Sequence, residues 1–185
     1  LVEAVCKVGK PVVLLNMTGS AMDLRYAQDN ANAVMQLWYP GARGGRVISK
    51  ILFGEISPSG KLPVTFYNDT NDLPDFEDYS MKGRTYKYLE TAPLYPFGYG
   101  LTYADCFVES ASYDKATNTV KAVVVNDSDV ATDEVVQVYV KGDSEFAPTN
   151  GKLCGFARVN LGAKESKEVT LSMCPKSFLV VNAEG

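Results

Sequence analysis

The hydrophobic period changes once along this chain, and that change limits it to two kinds of folding unit. Up to residue 68, short continuous apolar runs such as PVVLLNM (11–17) alternate with stretches in which apolar residues recur at helical spacing. Beyond residue 103, apolar and polar residues alternate instead, in TVKAVVV (119–125), EVVQVYVK (134–141), CGFARVNL (154–161) and KEVTLSM (167–173), with Asn, Asp, Gly and Ser between them. A continuous run too short for a helix reads as a strand buried on both faces. Strict alternation reads as a strand buried on one. The first pattern predicts an α/β unit and the second a β-sandwich.

In the α/β unit, residues 1–8 read as the end of an amphipathic helix stopped at Gly9. PVVLLNM and ANAVMQLWY (31–39) read as strands, and GGRVISKILFG (44–54) as a helix with Val47, Ile48, Ile51 and Leu52 on one face. KLPVTF (61–66) is expected as an extended edge segment, because Pro63 has no N–H to give a ladder. The acidic, turn-rich NDTNDLPDFEDYS then marks a boundary. These signals divide the chain into 1–70, the end of an α/β domain; 71–103, a linker; and 104–185, a sandwich expected to stop short of its final strand. An open edge of that kind predicts poor folding of the isolated chain.

The chain has 185 residues with no histidine, which removes Ser-His and Cys-His nucleophiles and His-ligated metals from within it. Eighteen basic against 22 acidic side chains, without a basic run, argue against nucleic acid. No apolar run reaches the roughly 18 residues of a membrane span. Cys6, Cys106, Cys154 and Cys174 lack metal-ligand spacing and are expected as buried free thiols, although a Cys154–Cys174 bridge forms if their strands face each other. Lacking an initial Met, and running from LVEAVC to VVNAEG, the chain reads as a piece of something longer and assigns no compartment.

Chemistry-bearing candidates are few. WYPGARGGR (38–46) sets a Gly-rich turn before a helix, where Arg43 and Arg46 would face an anion, but it matches neither GxGxxG nor a P-loop; Gly44 and Gly45 more simply let the helix approach the sheet. Lys61, in SPSGK, reads as a solvated cation on a turn. Glycosidic cleavage typically needs two carboxylates, about 5 to 5.5 Å apart for retention or roughly 6.5 to 9.5 Å for inversion. Glu55, Asp75, Glu77, Asp78 and Glu90 are available, yet nothing in their spacing sets two across a sugar. YSMKGRTYKYLETAPLYPFGYGLTY (79–103) is dense in aromatic rings, and its prolines oppose a long helix. If extended, it would place Arg84, Tyr86 and Tyr88 on one face, to meet a sugar or to lock two domains together.

WYPGARGGRVISKILFGEISPSGKLPVTF followed by LPDFEDYSMKGRTYKYLETAPLYPFGYGLTY resembles the C-terminal half of family 3 glycoside hydrolases, the β-glucosidase and β-xylosidase group. EVVQVYV and KLCGFARVNLGAKESKEVTL are similar to the fibronectin type III-like domain that ends many members. The resemblance implies a partial parallel-sheet α/β sandwich domain, followed by an all-β fibronectin type III-like sandwich. It also implies a retaining enzyme whose nucleophile Asp and acid/base Glu both lie upstream of this chain. No catalytic residue, metal or cofactor is then expected here, and a β-linked oligosaccharide would be met through the upstream domains. Arg43 departs from the acidic residue common at that position in the family, which puts a polar role for its loop in doubt. Arg84, Tyr86, Tyr88 and Trp38 remain as substrate-proximal or interdomain candidates, with the clamp role favoured, and the GRTYKY form of the linker leans towards xylosidases. Two readings compete with this one: a stand-alone carbohydrate- or protein-binding sandwich, supported by 11 tyrosines, and an anion-binding α/β domain centred on 41–46.

Overall fold

The computed structural model describes residues 1–182 and Glu184. It contains an α/β unit with a parallel strand pair, followed by an antiparallel β-sandwich.

The first unit runs α1 (Val2–Cys6), β1 (Val13–Asn16), α2 (Arg25–Asn30), β2 (Ala33–Gln36) and α3 (Gly44–Leu52). β1 and β2 pair in parallel, from Val13 opposite Ala33 to Asn16 opposite Gln36. β2 is shorter than its apolar run. Two residues past its end Trp38 takes φ 53°, a left-handed conformation no strand continues through, and Pro40 follows. α2 falls in a stretch with no strong periodicity, but it buries Leu24 and Ala27, and the Asp23 carboxylate accepts the Arg25 N–H at its start. Gly54, at φ 74°, follows the end of α3.

Residues 61–66 form no strand in the parallel sheet. Their partner is the linker itself: Leu62 N–H donates to the Tyr99 carbonyl, Gly98 N–H to that of Leu62, and Phe66 and Tyr95 exchange both bonds. The linker is not extended at its basic centre either, because Thr85–Tyr88 form a single helical turn, α4.

The sandwich comprises β3 (Cys106–Asp114), β4 (Thr119–Asn126), β5 (Thr132–Val140), β6 (Lys152–Leu161) and β7 (Ser166–Ser172), as a β3–β4–β7 sheet facing a β5–β6 pair. Its core is Val124, Val136, Leu161, Leu171 and Met173, with Cys106 and Cys154 packed against it. Full burial of such side chains is worth about 1.5–3 kcal/mol each. Alternation works as expected on β4, where Ala122, Val124 and Asn126 are buried. Asn126 can sit there because its amide donates to the Val130 and Gly162 carbonyls and accepts from Ser128 N–H. β3 was not anticipated; most of its residues are exposed and a bulge between Val108 and Ser110 breaks its register.

All four cysteines are free thiols, so Cys154 and Cys174 form no bridge. They are also less buried than expected: Cys174 is exposed and the other three are half-buried. Cys154 Sγ lies against the Val138 carbonyl and Met173 Sδ, and burial pushes its thiol up from the ordinary range.

Candidate functional site

The most developed constellation of side chains joins the two units. Along β5, Thr132 Oγ1 donates to Ser57 Oγ, which also accepts the Tyr103 N–H, and Gln137 Nε2 donates to the Gly98 carbonyl. Between them Lys61 Nζ lies 2.8 Å from Glu134 Oε1 and donates to the Gly100 carbonyl at 2.7 Å. Lys61 is therefore not a solvated turn residue: each side chain of this pair is only 16% exposed. The approach is close enough to require glycine. A Cβ on Gly100 would collide with the Gly60 carbonyl, and one on Gly98 with the Gln137 and Tyr139 side chains.

Rings continue the seam in both directions. Trp38 meets Phe66 edge to face at 6.3 Å; Phe66, 1% exposed, meets Tyr95 the same way at 5.9 Å; Tyr95 stacks on Tyr99 at 5.6 Å. Tyr95 OH also donates to Gln28 of α2, and burial raises the pKa of its phenol. Tyr86 stacks on Phe97 at 4.0 Å and 11°, and meets Tyr139 of β5 edge to face at 6.3 Å. Its hydroxyl accepts the Leu153 N–H of β6. Asn150, in the β5–β6 loop, donates through Nδ2 to the Tyr86 and Leu89 carbonyls and through its backbone to that of Lys87. The unpaired carbonyls at the end of α4 are thereby satisfied by the sandwich.

The four sequence candidates divide. Trp38 and Tyr86 are parts of this seam. Tyr88 is half-buried on α4 but is not among the stacked rings, because the helical turn rotates it away from Tyr86 where an extended chain would have aligned them. Arg84 lies outside the seam: its Nη2 donates to the Asp75 and Asp78 carbonyls, at 2.8 Å each, and closes the loop before α4. Tyr99 and Tyr103 stay 39% and 47% exposed, so the linker buries its rings unequally. Ser57, Lys61, Glu134, Gln137 and Asn150 were not singled out as contacts. Each is an ordinary polar residue whose partner is remote in sequence.

Glu55 pairs with Lys50. Asp75 and Asp78 each accept an N–H two residues on, from Glu77 and Ser80. Asp72, Asp78 and Glu90 do share the rim of an open cleft of about 320 Å³, with Lys82. At the Gly-rich turn, Gly44 is needed where a Cβ would strike the Pro40 ring, whereas Gly45 faces open space, so the close approach is to the preceding turn. Among the described residues no group of three or more Cys, Asp or Glu is arranged to hold a metal.

The seam unites elements that separate sequence profiles also recognise. Residues 1–103 match the glycosyl hydrolase family 3 C-terminal domain, and residues 134–185 the fibronectin type III-like domain. The chain is 38% identical over 186 residues to a xylan 1,4-β-xylosidase of Xylanibacter ruminicola, an alignment covering 98% of this chain and 22% of that protein. It is 32% identical over 196 residues to a β-xylosidase of Formosa agariphila, covering all of this chain and 27% of that one. A crystal structure of a β-glucosidase from Bifidobacterium adolescentis superposes with a TM-score of 0.86 at 31% identity, over 98% of this chain and 30% of that one. The chain thus spans about a quarter of the length of the curated relatives it matches. With more than half of its residues matching the family's C-terminal domain, and relatives above 30% identity along its whole length, the chain belongs to glycosyl hydrolase family 3 and corresponds to that family's C-terminal part.

Proposed function

We propose that this chain is the C-terminal part of a retaining glycosidase that releases terminal β-linked sugars, xylose or glucose, and that it supplies scaffold and domain packing while upstream domains supply the nucleophile and acid/base. The observation that carries this reading is the end-to-end match to about a quarter of proteins named β-xylosidases. With no histidine, the chain has no imidazole of its own to serve as acid or base. On this reading the functional divisions are 1–70, 71–103 and 104–185; Tyr86 holds the last two in register, and Trp38 packs on Phe66 within the first. Arg84 fixes the loop that leads into the clamp, and Tyr88 fills space behind it.

The test is to recover the complete coding sequence, express it, and assay 4-nitrophenyl β-xyloside and β-glucoside with the product anomer read by NMR. Hydrolysis with retention, more rapid on the xyloside, is expected, with none from the 185-residue chain alone. An upstream region lacking a barrel with a suitably placed Asp sinks the proposal.

A further inference from the structure

Residues 84–88, RTYKY, carry a conflict between local preference and fold. Two Tyr and a β-branched Thr favour a strand, yet Thr85–Tyr88 form the helical turn α4. The turn starts from Thr85 at φ 57°, in the left-handed region that a β-branched residue adopts only under constraint. Thr85 is exposed, so packing of its own side chain does not impose this conformation. Four residues are also too few for a helix to persist on its own backbone bonds, because nucleation is costly and propagation has hardly begun. What holds α4 in shape therefore lies outside it.

The holding bonds come from both units. On the α/β side, Thr85 N–H donates to Tyr67 OH at 2.7 Å. On the sandwich side, Asn150 meets three carbonyls of the turn and its end: Nδ2 donates to those of Tyr86 and Leu89, and the backbone N–H to that of Lys87, each at 2.9 Å. Between the two attachments, Leu89 N–H closes the turn on the Thr85 carbonyl at 3.0 Å. Strain thus enters at the end that one unit holds, while the carbonyls that keep the turn helical are held by the other. Such a backbone persists only where its surroundings over-determine it.

We propose that α4 is a two-state latch between the units: helical while Tyr67 and Asn150 both hold it, and extended, with Thr85 relaxed to negative φ, when either lets go. The latch goes beyond the assignment of the chain to a glycosidase and does not depend on it. Its consequence falls on the open cleft at Asp72, Asp78 and Glu90, because Lys82 and Gly83 just before α4, and Leu89, Glu90 and Thr91 just after it, line that space. Docking of the sandwich thereby sets the shape of a cleft that is built from the linker.

The test is hydrogen exchange in the complete protein, read amide by amide by mass spectrometry with electron-transfer fragmentation. Asn150→Ala should speed exchange roughly tenfold at Leu89 and, across the turn, at Thr85, whose own partner Tyr67 is untouched. Phe53 at the end of α3 and Met173 in the sandwich should keep the parent's rates. Tyr67→Phe should reciprocally speed exchange at the Asn150 amide. Thr85→Asn installs a residue that accepts left-handed backbone, so it should slow exchange at Leu89 and restore part of the protection lost in Asn150→Ala. If Asn150→Ala does not fold, the Thr85→Asn rate decides. Substitutions that act only on their own side of the turn, equal acceleration at Phe53 and Met173, or faster exchange at Leu89 in Thr85→Asn each overturn the proposal. Hydrolysis plays no part in the readout, so the latch and the glycosidase reading can fail separately.

Discussion

Lys61 Nζ stands 2.8 Å from Glu134 Oε1 and 2.7 Å from the Gly100 carbonyl, so a single ammonium joins the turn leaving the α/β unit, the end of the linker and the start of β5. At 16% exposure neither charge is well hydrated, and removing one leaves the other poorly solvated. Glu134→Gln should cost about 1–2 kcal/mol and Lys61→Met about 2 kcal/mol, by urea denaturation. The double variant K61M/E134Q should lose less than the sum, with a coupling of about 1 kcal/mol or more. Strict additivity would mean that the contact contributes nothing of its own.

The seam also depends on the absence of a side chain. Gly100→Ala places a methyl into the Gly60 carbonyl, which is backbone and cannot rotate away. A loss of about 2–3 kcal/mol is expected, in the range of overpacked sites. Gly45→Ala is the control: it lies within α3 with open space around it, and should stabilise by about 0.5–1 kcal/mol. Equal effects from the two would show that backbone entropy, not the close approach, governs both.

How much of this was legible in the sequence follows from how far apart the interacting residues are. β4 to β7 were readable because alternation is local, and Ala122, Val124 and Asn126 alternate inward as it requires. The parallel pair was readable from its continuous apolar runs, although both strands are half-buried at most, and β2 ends early where Trp38 turns left-handed, which no apolar run reveals. β3 escaped because its side chains are mostly exposed on both faces. Lys61 looked solvated because Glu134 belongs to the other unit. Tyr86 and Tyr88 were aligned by an extended period, but Thr85, at φ 57°, begins a helical turn that separates them. The linker's aromatic rings and its place between the two units pointed to a clamp, whereas its polar anchors could be found only from the fold.

Tyr86 separates the two parts of that clamp. Its ring stacks on Phe97 and meets Tyr139, and its hydroxyl accepts the Leu153 N–H. Tyr86→Phe keeps the rings and removes only the acceptor, so about 1 kcal/mol should be lost. Tyr86→Ala removes both and should cost about 3 kcal/mol or more. Tyr88→Ala, half-buried outside the stack, should cost less than Tyr86→Ala. The reverse order in thermal denaturation would mean that the wrong tyrosine anchors the linker.

Buried Thr65 makes a prediction of opposite sign. Its Oγ1 has no hydrogen-bond partner among the described residues, so the hydroxyl is desolvated without compensation. Thr65→Val keeps the shape and removes the polar atom, and should raise stability by about 1 kcal/mol. Neighbouring Phe66 sets the contrast, since Phe66→Ala at a 1% exposed site should cost about 3–5 kcal/mol. A destabilising Thr65→Val would show that the hydroxyl has a partner.

Asp23 connects the acid sensitivity of α2 to the turn at Asp69, just before the linker. Hydrogen bonds from the Arg25 side chain, and then from its backbone N–H, hold this carboxyl at about 2, down from 3.8. Arg25 also pairs with Asp69, whose carboxyl is lowered first by the Asn71 N–H and then by Arg25. A folded-state value below the unfolded one contributes stability that is fully present above about pH 4 and is lost as pH falls towards about 2. The urea midpoint should therefore fall between these limits, and Asp23→Asn should flatten the fall while leaving the midpoint at pH 2 nearly unchanged. Because these groups lie at the surface, 1 M salt, which contracts the screening length to about 3 Å, should flatten it too. An Asp23→Asn profile parallel to the parent's across this window would remove Asp23 from the account.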